Sequence, residues 1–153
     1  MHLSGHGLSG RQRRVIAHRM VHLAQTDPDD TVREEAVHGL RWVRAIDPVE
    51  VFVAASADPA PMVRGQAIAG LGGRAAGRWS SSFQQRVLAV IERGLADPHA
   101  DVRFWALFAV GQLGLIELRA QVLALVDDAA PGACGKRTVG EEARAVGASL
   151  PTP

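Results

Sequence analysis

Three aromatic side chains within five residues, Phe104, Trp105 and Phe108, stand out in a 153-residue sequence with only four phenylalanines, three tryptophans and no tyrosine. On a helix, Phe104 and Phe108 lie one turn apart on the same side. Contiguous exposed aromatic surface marks a contact site, for a partner protein or for an apolar small molecule. Asp101 and Arg103 are the nearby polar candidates to orient such an occupant. A second group, His38, Arg41 and Trp42, places a cation and an indole together, either to stack on a ligand or to close the gap to the next element.

Other reactive side chains are weaker candidates. His18 and His22 are four apart and can share a helix face with His38 nearby, but zinc needs a third or fourth ligand at the right distance, and no His-Glu-x-x-His pattern is present. Cys134 lies in the loop sequence APGACGK beside Lys136 and Arg137, a positive field that favours the thiolate. No histidine adjoins it to complete a nucleophile and base pair, so it reads as an incidental loop thiol. No metal, no cofactor and no catalytic residue is expected.

Composition narrows the class. The length suits one domain with a continuous core. A single cysteine excludes an internal disulfide framework, no apolar run is long enough for a membrane helix, and the N-terminus has no secretory pattern, which together suggest a cytoplasmic protein. Net charge is +1 with acids and bases interspersed, so nucleic acid is a poor partner, although Arg11, Arg13, Arg14 and Arg19 form a local basic group. Sixteen of the seventeen basic residues are arginine, which reads chiefly as the coding bias of a GC-rich bacterium.

What must position these side chains is a repeat. Three segments align on a valine: DPDDTVREEA from Asp27, DPAPMVRGQA from Asp58 and DPHADVRFWA from Asp97, with a weaker fourth at Val139. The valines are 31, 39 and 37 residues apart, a unit of about 31 with insertions. Each unit reads as two helices parted by Asp-Pro, which proline imposes. Pro61 in a first turn and Asp30 and Asp101 near helix starts support the second helices. Ser9 with Gln12, Ser81 with Gln84 (or Ser82 with Gln85) and Thr138 with Glu141 have capping-box spacing. The helices are expected at 10–25, 31–45, 48–57, 61–74, 82–95, 100–113, 115–127 and 139–148.

From the aligned valine, the alanine four on (Ala36, Ala67, Ala106, Ala143) and the residue eight on (Leu40, Leu71, Val110, Gly147) form one core stripe, with Gly39, Gly70 and Ala109 keeping that side thin. Positions two, six and nine on should face water. They are Glu34, His38 and Arg41 in the first unit, Gly65, Ala69 and Gly72 in the second, and Phe104 and Phe108 in the third. The first helices supply the opposite wall, including Ile16, Met20, Leu23, Phe52, Ile91, Ile116 and Leu123. The insertion 75–82, which carries Trp79, can fold over the aromatic group, and the long segment 127–137 either joins the binding face or is mobile.

Asp-Pro followed by Val-Arg, two variable residues, Ala and a terminal Leu-Gly or Val-Gly resembles HEAT repeats, more closely the short HEAT-like repeats of phycobilisome lyase type. The resemblance implies an all-α fold, a short right-handed α-solenoid of about four antiparallel hairpins at 10–45, 48–74, 82–113 and 115–148. These form one domain over 10–150 behind a flexible lead, 1–9. It further implies that Arg33, Arg64 and Arg103 pair with the turn aspartates Asp27, Asp58 or Asp97 of the same or adjacent unit, and that the second helices line the concave side. The last unit departs, with Asp127-Asp128 for Asp-Pro and Gly140 for the arginine, and reads as a terminal cap.

Such repeats mostly serve as binding scaffolds or regulators, and a minority act as chromophore lyases or DNA glycosylases. The leading expectation is therefore a protein-interaction module using the concave face. The alternatives are a lyase or isomerase holding a hydrophobic molecule among the aromatics and, further off, a glycosylase-like DNA binder with Trp105 and Asp101 at a base site.

Overall fold

The computed structural model describes residues 7–74, 79–133 and 135–151. Among them are the helices α1 (Gly10–Thr26), α2 (Asp30–Leu40), α3 (Val49–Ala55), α4 (Pro61–Gly72), α5 (Ser81–Leu95), α6 (Ala100–Leu113), α7 (Arg119–Leu123) and α8 (Val139–Ser149). A 3-10 turn, Ile116–Leu118, precedes α7, and the one bridged pair is Pro131 with Thr138. The helices α2, α4, α6 and α8 pack in sequence as one layer, and α1, α3, α5 and α7 as the other. The fold is an all-α solenoid of four hairpins.

Local chemistry sets the boundaries. The Ser9–Gln12 and Thr138–Glu141 capping boxes both form, and Pro61 occupies the first turn of α4. Asp29 caps α2 by accepting from the Thr31 N–H at 2.8 Å. For α5 the cap is Ser80, which accepts from the Phe83 N–H, rather than Ser81 or Ser82. Two expected helices differ in extent. α2 stops at Leu40 instead of running to 45, and the helix expected over 115–127 is broken into the 3-10 turn and the five-residue α7.

The core stripe has the expected phase. Ala36, Ala67, Ala106 and Ala143 are buried, with Leu40, Leu71, Val110 and Gly147 beside them. The glycines have two uses. Gly70 makes room inside its own hairpin, where an added methyl would come within 2.7 Å of the Phe52 ring. Gly72 lets α4 reach α6, because a methyl there would sit 2.8 Å from the Ala109 Cα. Gly65, Ala69 and Gly72, expected to be wet, are buried by this approach of the third hairpin. Conversely Ile16, Ile116 and Leu123 are exposed, and so is Val32, the first of the aligned valines.

An ionic ladder offset by one unit ties the hairpins together. Arg33 donates through Nε and Nη2 to the Asp58 carboxylate at 2.8 and 3.0 Å, and its Nη1 donates to the Asp27 and Pro28 carbonyls of its own turn. Arg64 repeats this with Asp97 and the carbonyls of Asp58 and Pro59, and Arg103 with Asp128 and the carbonyls of Asp97 and Pro98. Each acceptor aspartate also takes the N–H two residues on, Ala60, His99 and Ala130, which shapes the turn. Asp128 is thus the fourth ladder aspartate, with Ala129 standing where the earlier units have proline.

Burial pushes the Asp58 and Asp97 carboxyls up, but the Arg33 and Arg64 guanidinium hydrogen bonds, the turn N–H groups and nearby positive charge outweigh it. Both are held below the ordinary aspartate value of 3.8. A depressed carboxyl stabilises the fold fully above that value and loses its contribution as pH falls through the folded-state value. Thermal midpoints measured across the acid range should therefore drop below about pH 4, and Asp97→Asn, which keeps the turn acceptor, should show a shallower drop. Arg64→Gln should cost about 1–2 kcal/mol after solvent screening. Gly72→Ala should cost about 1–3 kcal/mol in urea denaturation, because the methyl meets backbone that cannot swing away.

Candidate functional site

The turn after α2 is held from the neighbouring hairpin. Arg74, just past α4, donates Nη2 to the carbonyls of Leu40, Arg41 and Val43 at 3.1, 3.5 and 3.3 Å, capping the helix end. Burial pushes this guanidinium below the usual arginine range. The turn so fixed carries Trp42, which is 71% exposed. Trp42 therefore does not close a gap between hairpins.

Gln66 and His38 set the orientation of this indole and of Arg41. Gln66 Oε1, from α4, accepts from Arg41 Nη1 at 2.8 Å and pairs with His38 Nδ1 at 3.1 Å, while Trp42 Nε1–H points at His38 Nε2, 3.5 Å away. A carbonyl only accepts and an indole N–H only donates, so the arrangement selects the His38 tautomer with its proton on Nδ1. The Arg41 guanidinium lies 5.8 Å from the Trp42 ring and 5.2 Å from the Trp105 ring, joining the two indoles by cation–π contacts. His38, Arg41, Trp42 and Trp105 thus form one constellation, and Gln66 belongs to it.

Trp42 also walls an open cleft of about 570 Å³ between the start of α1 and the turn after α2. Leu8 and Ile16 give it apolar surface, and Arg13, Arg14 and Arg44 give it charge, with no acid in the lining. Arg13 Nε donates to the Leu8 carbonyl, whereas Arg14 and Arg44 make no hydrogen bond or ion pair among the described residues.

The aromatic trio of α6 is placed differently from the expectation. Trp105 meets Phe104 and Phe108 edge to face at 5.8 and 5.6 Å, so the three form one cluster, but each is only partly exposed. Trp105 lies on α4, its Cδ1 3.0 Å from where a Gly65 methyl would be, and Phe108 lies beside Gly72. Phe104 lies against Gly132 of the segment that follows α7, where an added methyl would collide with its ring. That segment is organised by the Gly132 N–H to Arg137 carbonyl and Val139 N–H to Ala130 carbonyl bonds. Of the insertion 75–82, residues 75–78 lie outside the described residues. Trp79 packs edge to face on Phe83 and lines a groove with Leu88, Leu113 and Leu115.

The remaining candidates are scattered. The Asp101 carboxylate faces His99 Nδ1 at 3.8 Å, and Arg103 is held in the ladder. His22 pairs with Thr26 and His38 with Gln66, so the three imidazoles do not converge, and no metal-holding group of three occurs among the described residues. Cys134 lies outside the described residues. Sequence reasoning missed Gln66, Arg74, Asp128 and Gly132. The first could have been found from its place one turn before Gly70 on a helix facing Arg41, and Asp128 from its position 25 residues after Arg103, the same interval as Arg33 to Asp58.

A family model described as HEAT repeats matches residues 17–109. The chain belongs to the HEAT-repeat family. The match names HEAT repeats in general and not the narrower phycobilisome lyase type. HEAT repeats are commonly protein-interaction scaffolds, which makes the exposed features of this solenoid the ones to weigh. Neither the curated proteins nor the solved structures contain a match to the chain. Among the described residues no helix is long and apolar enough to cross a membrane.

The two aromatic groups should separate in denaturation. Phe104→Ala opens space beside Gly132 and should cost about 2–3 kcal/mol, whereas Trp42→Ala should leave the unfolding free energy from urea denaturation within about 0.5 kcal/mol of the parent.

Proposed function

We propose that this HEAT-repeat protein is an interaction scaffold or regulatory module that grips a segment of another protein across its second helices, with Trp42 and Arg41 as the anchors. The observation that carries the reading is the 71% exposure of an indole whose ring is nevertheless oriented by His38, Gln66 and Arg41. An anchor held in place before binding loses little conformational freedom on capture, and Trp and Arg are enriched among the residues that dominate interface energetics. Arg14 and Arg44 at the adjoining cleft favour a partner segment that carries carboxylates.

The contribution of Phe104, Trp105 and Phe108 is secondary in this reading. Their packing on Gly65, Gly72 and Gly132 leaves their edges as a floor rather than as projecting anchors. A lyase or isomerase reading needs an apolar groove among these same rings, and the space beside Phe108 is a shallow hollow of about 230 Å³. Asp101 is turned to His99, away from the role of a second contact.

The test is capture from native cell extract on immobilised protein, read by protein and small-molecule mass spectrometry. Trp42→Ala and Arg41→Gln should each remove at least tenfold of the specifically captured protein with an unchanged thermal midpoint. Equal capture by the parent and Trp42→Ala, or an absorbing small molecule retained in place of a protein, would reject the proposal.

A further inference from the structure

Each interior hairpin repeats the same three features. Its turn aspartate accepts a bidentate arginine, as Asp58 does from Arg33 and Asp97 from Arg64. Its aligned valine is sealed, Val63 and Val102 both being 0% exposed. The residue three past that valine reaches back, Gln66 to His38 and Arg41, and Trp105 onto Gly65.

The first hairpin has all three elements, and nothing among the described residues receives them. Asp27 adopts the ladder turn, its Oδ1 accepting from the Asp29 N–H at 3.0 Å, but no arginine of a preceding hairpin meets its carboxylate among the described residues. Val32 is 37% exposed at the position where its counterparts are sealed. Glu35, the counterpart of Gln66 and Trp105, is exposed.

The opposite end is closed. Gly140 stands where the ladder arginine would be, its N–H bonded to the Asp128 carbonyl at 2.8 Å and its Cα so near the Val126 carbonyl that no side chain fits. Among the described residues, one end therefore has a ladder carboxylate that no arginine meets and the other end has no ladder arginine to give. A second copy stacked head to tail cannot satisfy Asp27, and two heads would oppose Asp27 to Asp27.

We propose that the end face formed by Asp27, Val32 and Glu35 is a docking surface for a HEAT-type helical hairpin of another protein, one that presents an arginine to Asp27 and a small apolar ridge to Val32. The occupant is defined by charge complementarity and by the register of the ladder itself. This does not rest on the reading of Trp42, which stands at the other end of α2.

The test tethers such a hairpin, which replaces a weak bimolecular encounter by a high effective concentration. A copy of residues 46–72 is placed ahead of the full chain, so that residues 1–9 act as the connection, about as long as the segment 73–80 between α4 and α5. The proposal expects added helical ellipticity and a thermal midpoint raised by about 4 °C or more. Arg64→Gln in the copy alone, or Asp27→Asn, should each remove most of that rise. Asp27→Asn, which keeps the turn acceptor, should shift the untethered chain by about 1 °C or less, and combining the two changes should add little further.

A tethered hairpin that stays unfolded, or a rise indifferent to Asp27, overturns the proposal. Sedimentation of the untethered chain covers the remaining occupant. The proposal expects no self-association that depends on Asp27, and a concentration-dependent oligomer abolished by Asp27→Asn would assign the face to a second copy instead.

Discussion

The stacking of this molecule depends on one arginine doing two jobs. In each rung the guanidinium holds the carbonyls of its own inter-helix turn with Nη1 and the carboxylate of the next turn with Nε and Nη2. The first job fixes how one hairpin folds, and the second fixes how it sits on its neighbour. A lysine ammonium, a compact charge on a flexible stem, lacks the planar fork that meets a carboxylate with two donors while a third nitrogen holds the turn carbonyls. Because the rung always points from one unit to the next, the solenoid has a direction, and its two ends are chemically different.

Much of this was legible in the sequence, since the repeat is written in residues with strong local meaning. Asp-Pro gives the turn, the valine-alanine stripe gives the phase, and both survive in the structure at Val63, Ala67, Val102 and Ala106. The ladder pairs were legible only to within one unit. Spacing places Arg33 near both Asp27 and Asp58, and the choice between them follows from the stacking of whole hairpins, which no local pattern encodes. Val32 shows the same limit from the other side. Its type and phase match Val63, yet its exposure is decided by what lies beyond the first hairpin.

The aromatic group was harder to read for a physical reason. A pattern around one helix tells which residues face away from that helix's own core, not whether a neighbour is waiting there. Gly65 and Gly72 leave hollows on α4, and Trp105 and Phe108 fill them. Gly132 lets its backbone come up against Phe104. Small residues with no chemistry of their own thus determined the accessibility of the residues with the most, and they sit 30 to 40 residues away from Trp105 in the chain or in a loop with no periodicity.

Arginine content, which reads from composition as coding bias, acquires a spatial meaning in the fold. Arg33, Arg64 and Arg103 are held by aspartates, Arg74 and Arg119 by carbonyls at helix ends, Arg86 and Arg137 by glutamates, and Arg93 by the buried Ser56. The arginines left without a hydrogen-bond partner among the described residues, Arg11, Arg14, Arg19 and Arg44, all belong to the first hairpin or the turn that follows it. A structural arginine is screened and geometrically committed, whereas these four retain their full donor sets for something else. Near-neutral net charge therefore conceals a polar molecule, with the uncommitted Arg14 and Arg44 beside Trp42 and the ladder carboxylate of Asp27 at the other end of the same helical hairpin.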